Sequence, residues 1–93
     1  MSEIEAVLVK ALQTVTAELD NPELAEVTAN TDIIGNVDSF VIVDLMLESE
    51  MQLEAILGKY VTLADETILD AEKSPLLNWS NWVSYVEARC DAS

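Results

Sequence analysis

The sequence predicts an all-α fold: a small four-helix bundle with a long loop between its first two helices and a short third helix. Three observations carry this expectation. Apolar residues recur at helical spacing in the stretches beginning near Ile4, Phe40 and Leu76. Cap and stop residues bracket those stretches. The chain has 93 residues, 51% of them hydrophobic, which suits one compact domain with one core.

The first helix is expected over about residues 2–20. Ser2 and Glu5 fit a capping box, and Ile4, Val7, Leu8, Ala11, Leu12, Val15 and Leu19 share a face. Asp20-Asn21-Pro22 then stops it, because proline cannot continue the helical hydrogen-bond ladder. Residues 21–37 read as loop, rich in turn and cap formers, with Ile33-Ile34 as a short turn anchoring it to the core. The second helix is expected from Ser39 to Leu57, with Gly58 as a left-handed stop. A short third helix is expected at about 64–71, holding Ile68 and Leu69 against the core; Tyr60 to Leu63 could be extended or a helix edge. Ser74 as N-cap and Pro75 as first helical residue open a fourth helix over 75–89. Its face is Leu76, Trp79, Val83 and Val86, flanked by Trp82 and Tyr85.

Charge narrows the function. Eighteen acids against four bases give a net charge of −14. Such a chain repels nucleic acid phosphates and anionic lipid surfaces, and attracts proteins with basic patches. No apolar run approaches the roughly 18 residues of a membrane span, no basic-then-apolar leader is read, and the cytoplasm is the expected compartment. Cys90 is the sole cysteine, which precludes an internal disulfide, and a surface thiol is expected there. Histidine is absent, which removes the commonest general base and metal ligand, so an independent enzyme is not expected.

Attention falls on Gly35-Asn36-Val37-Asp38-Ser39-Phe40. It puts the Ser39 hydroxyl at the mouth of the second helix, where unpaired N–H groups and the positive dipole end favour an anion such as a phosphate ester. The plain alternative is a helix cap, since Asp and Ser both cap well. The helix that follows is apolar nearly all round in its first turns, through Phe40, Val41, Ile42, Val43, Leu45, Met46 and Leu47. A small domain has difficulty burying all of these, and a partner-facing strip is the favoured reading. The acids Asp44, Glu48, Glu50 and Glu54 form i,i+4 pairs that repel on the surface. They constitute either a solvated face or a docking face for basic proteins; a carboxylate metal site is weakly signalled and none is expected.

A helix, a long loop, G-x-x-D-S-apolar opening an acidic second helix, a short third and an apolar fourth helix together resemble an acyl or aminoacyl carrier protein over nearly the whole chain. The resemblance implies a single carrier domain over 1–93 and the acyl-carrier-protein type of bundle. It implies that a phosphopantetheinyl transferase moves 4′-phosphopantetheine from coenzyme A onto Ser39, and that the arm's thiol carries cargo as a thioester. Asp38 would assist recognition of that serine. Phe40, Val43, Asp44, Leu47, Glu48 and Glu50 would form the docking helix. A monomeric carrier of this kind is a substrate of its partners, namely a loading ligase for acyl or aminoacyl groups and downstream synthases with basic patches.

Several positions depart from the common fatty-acid pattern. Gly35 precedes Ser39 by four residues, as in aminoacyl or peptidyl carriers. Ser49 stands where an aliphatic residue is usual, Met51 replaces an acid, and the interval before the fourth helix is about ten residues longer than a minimal bundle needs. The expectation is therefore a free-standing acyl carrier in a specialised lipid or secondary-metabolite pathway. The alternatives are an aminoacyl or peptidyl carrier and, from another class, a non-catalytic acidic adaptor binding a basic protein.

Overall fold

A computed structural model describes residues 3–17, 21–70 and 72–92. Among them the regular structure is entirely helical: α1 (Glu3–Val15), α2 (Pro22–Ala25), α3 (Ser39–Leu57) and α4 (Trp79–Ala92), with a 3-10 turn at Pro75–Leu77. The expected capping residue Ser2 and the residues Leu19 and Asp20 lie outside the described set.

α1 buries Leu8, Ala11 and Leu12, as its spacing requires. Its helical run closes at Val15. There the Thr16 hydroxyl and amide both bond the Leu12 carbonyl, at 2.6 and 3.0 Å, a competition that loosens the ladder. The segment expected to be loop contains α2. Asn21 caps it by accepting from the Glu23 amide at 2.9 Å, and Pro22 opens it because the first helical position needs no donor. The Asn-Pro pair read as a stop is therefore also a start, and Leu24 turns into the core.

α3 agrees with expectation residue for residue. Asp38 caps it and Gly58, at φ 71°, ends it in the left-handed region while its N–H reaches the Glu54 carbonyl. Towards the core it presents Ile42, Leu45, Met46 and Leu53. α1 packs against both α3 and α4, whereas α3 and α4 do not pack directly on one another. Between those two runs a strap, residues 59–70, which buries Val61, Leu63 and Ile68.

The short helix expected at 64–71 is absent from residues 64–70, and Ala71 is outside the described set. The amides of Ile68 and Asp70 close i to i−3 turns where a helix would pair them i to i−4, and side chains fix the stretch before them. Glu50 accepts from the Leu63 and Ala64 amides, and Asp65 accepts from the Thr67 amide and hydroxyl, each at 2.9 Å. Tight turns result, with Ile68 N–H on the Asp65 carbonyl and Asp70 N–H on the Thr67 carbonyl. The expected 75–89 helix is likewise divided. Ser74 caps only the 3-10 turn, Asn78 is extended, and its side chain restarts the helix by accepting from the Asn81 amide at 2.8 Å.

Both tryptophans are core residues, including Trp82, which was expected at the flank. Trp82 stacks on Tyr85 with ring centroids 5.7 Å apart, and Trp79 donates its indole N–H to Glu5 at 3.1 Å. Cys90 corrects the expected surface thiol. It is only 7% exposed, one turn beyond Val86 on the buried face of α4, and burial pushes its thiol above the ordinary range.

Candidate functional site

The long loop brings the chain to the mouth of α3 along a fixed course. Ile33 is fully buried, and the amides of Ile33 and Ile34 both donate to the Leu76 carbonyl at 3.1 Å. The expected anchor is thus present, with the 3-10 turn as its mooring. Asp32 then folds back to accept from the Gly35 amide at 2.8 Å. A Cβ on Gly35 would run into the Asp32 carboxylate, so a larger residue there would push that exposed side chain away and cost its bond to the Gly35 amide. Asn36 locks the turn by donating to the Asp32 carbonyl at 2.6 Å, and its side chain also meets Asn21 and Glu23 beside α2.

At the end of this course Asp38 is the cap. Its Oδ1 accepts from the Val41 amide at 3.0 Å, and its carbonyl accepts from Ile42. Ser39 is the first residue of α3 and is exposed. Its hydroxyl is consequently spared from capping. First-turn N–H groups, which have no acceptor within a helix, point to the same end. The positive end of the helix dipole there favours the negative charge of Asp38. The exposed Ser39 hydroxyl therefore stands at the positive end of α3.

Phe40 is 82% exposed, and Val43, Leu47 and Met51 follow it as an exposed apolar row down α3. Asp44 and Glu48 lie on the flank facing α1, where they border an open cleft with Val41 and Val15. Phe40, Val43 and Leu47 are thus exposed together, and Met51, which departs from the expected acid, extends the row. Glu50, expected on the docking face, is not among them. It is 5% exposed, and its carboxylate accepts from the Tyr60 hydroxyl at 2.6 Å, the Leu63 amide at 2.8 Å and the Ala64 amide at 3.3 Å. It faces the strap and cannot meet a partner on the exposed row. The bond from Tyr60 holds that phenol above its ordinary range.

One turn beyond Ser39, on the side opposite the α1 cleft, α3 and the strap enclose an apolar groove of about 200 Å³. Its walls include Ile42 and Met46 from α3 and Ile68 and Leu69 from the strap. Asp65 stands at the rim, its carboxyl held below the ordinary range first by the Thr67 amide and hydroxyl and then by Arg89, 2.7 Å away. Sequence reading did not anticipate the groove, because it depends on where an irregular segment settles.

Among the described residues no group of acids or thiols is arranged to hold a metal ion, and no helix is long and apolar enough to cross a membrane. Comparison with protein-family models, curated proteins and solved structures finds no match to this chain.

Proposed function

We propose that the chain is a carrier protein that bears acyl groups as thioesters on a 4′-phosphopantetheine arm attached at Ser39. The observation that carries this reading is the division of labour at the mouth of α3: Asp38 caps the helix and the neighbouring Ser39 hydroxyl stays exposed and uncommitted. A cap alone would need only one of the two. The anchored loop supports the reading, because it fixes where that hydroxyl stands.

The arm, when bound, supplies a thiol on a long flexible tether, which a side chain as short as cysteine could not provide. The chain's own residues supply the attachment oxygen, the helix-end amides beside it, and a recognition surface. With no histidine in the sequence, deprotonation of the Ser39 hydroxyl falls to the transferase. Phe40, Val43, Leu47 and Met51 offer apolar contact to each partner, and Asp44 and Glu48 attract basic patches on a loading ligase or synthase. The groove beside α3 could shelter an apolar cargo.

Incubation with coenzyme A and a phosphopantetheinyl transferase tests the proposal. Wild type should gain one phosphopantetheine mass and Ser39→Ala none, with both proteins folded. No gain by wild type with several transferases would overturn it. An aminoacyl or peptidyl carrier would use the same serine and is distinguished by the mass of cargo on protein isolated from its own cells. The exposed row also suits an adaptor for a basic protein; that reading requires partner binding untouched by Ser39→Ala together with no mass gain.

A further inference from the structure

The Leu63 peptide is held from two helices at once. Its N–H donates to Glu50 on α3 at 2.8 Å, and its carbonyl accepts from the Tyr85 hydroxyl on α4 at 2.7 Å. Because α3 and α4 do not pack directly together, this peptide is a joint between them. The two attachments are unequal. On the α4 side the strap has two further ties, the Arg89–Asp65 ion pair at 2.7 Å and the Lys59 ammonium donating to the Cys90 carbonyl at 3.3 Å. On the α3 side Glu50 gathers three hydrogen bonds from the strap, through Tyr60, Leu63 and Ala64. None of those donors is cationic, so the buried carboxylate depends on all of them remaining in place.

We propose that Glu50 is a latch: its release lets the strap, residues 59–70, swing from α3 while staying tied to α4, opening the apolar groove without unfolding the bundle. The strap has the character of a separately opening unit. It contains no regular helix, its turns are short, and only Val61, Leu63 and Ile68 anchor it in the core. Glu50 itself lines the groove, together with Ile42 and Met46 on the side that would be uncovered. This device would control access to the groove whether or not Ser39 carries an arm.

Native-state hydrogen exchange on Glu50→Gln provides the test. The amide keeps the size of the side chain and removes its charge, so all three bonds weaken. Exchange at Leu63, Ala64, Ile68 and Asp70 should accelerate at least tenfold. Amides of Leu12 in α1 and Val86 in α4 should stay within about twofold of wild type. Uniform acceleration over the strap and both helices would overturn the proposal, since Glu50 would then stabilise the whole fold. Unchanged exchange in the strap would overturn it equally. Tyr60→Phe removes one half-buried bond and keeps the carboxylate. It should give the same pattern at smaller amplitude, and supplies the test should Glu50→Gln fail to fold.

Discussion

Ser49 sits in the middle of α3 with 0% exposure, and its Oγ has no hydrogen-bond partner among the described residues. A buried hydroxyl left unpaired costs about 1–3 kcal/mol, because it has given up water for nothing. Ser49→Ala removes that cost and gains a few tenths of a kcal/mol of helix propensity. Against this stands one lost oxygen, whose handful of contacts are worth about 0.1–0.2 kcal/mol each. The balance is about 1 kcal/mol of stabilisation. Unfolding entropy near 2.1 cal/mol/K per residue gives about 0.2 kcal/mol/K for a chain of 93 residues. The thermal midpoint should therefore rise by about 5 °C, read by circular dichroism at fixed salt. Denaturant melts should show the midpoint moving with unchanged slope. A midpoint lowered by several degrees would refute the reasoning, for it would mean that the hydroxyl makes a net favourable bond in the folded chain.

Three other outcomes follow. Gly58→Ala puts a Cβ on a residue at φ 71°; no atom obstructs it, so the loss should be the backbone strain alone, about 1 kcal/mol, and an unchanged melt would count against that conformation. Cys90, buried and with its thiol pushed up, should react with a disulfide reagent at pH 8 at least tenfold more slowly in the native protein than in denaturant; equal rates would contradict its burial. The Cys90 and Tyr85 ionisations are both raised by burial, which favours their neutral forms in the folded state. Stability from these groups is therefore complete below their unfolded pKa values and declines above about pH 8.5, beginning with the thiol, so alkaline melts that do not fall would oppose the assignment.

Local signals made α3 legible. Asp38 and Gly58 are opposite kinds of punctuation, and each does in the structure what its chemistry favours. Ile33-Ile34 was legible for a similar reason: two apolar residues among loop formers have to go inward. The strap was not legible, because Asp65 and Asp70 are as acceptable in a helix as in a turn until their oxygens claim nearby amides. Cys90 and Glu50 are more instructive. Cys90 follows Val86 by one turn, and Glu50 follows Met46 by one turn and precedes Leu53 by three residues, so spacing had placed both on buried faces. Residue type and position point opposite ways at both, and position prevails. For Glu50 the residue type misleads, since the amides and phenol satisfying its carboxylate come from a segment whose path the sequence does not specify. The Ser39 environment was half legible: the motif located the helix mouth, while the assignment of the cap to Asp38 alone needed coordinates.

The mooring of the long loop has a consequence for how the protein is made. Leu76 offers a single carbonyl to the amides of Ile33 and Ile34, and nearby the Ser80 amide bonds the Ala29 carbonyl. Both partners of the loop are synthesised long after it. Closing such distant contacts carries an entropic cost that is recovered only once the segment from Leu76 to Ser80 is present. On the ribosome, α3 can coil as soon as it emerges and the Asp32–Asn36 turn can close before it, but the loop's mooring to the core waits until growth has passed Leu76. A nascent chain ending before Pro75 would already contain the whole Gly35–Phe40 segment and still lack the Leu76 mooring, so the loop takes its final course to Ser39 only after distant sequence has followed it.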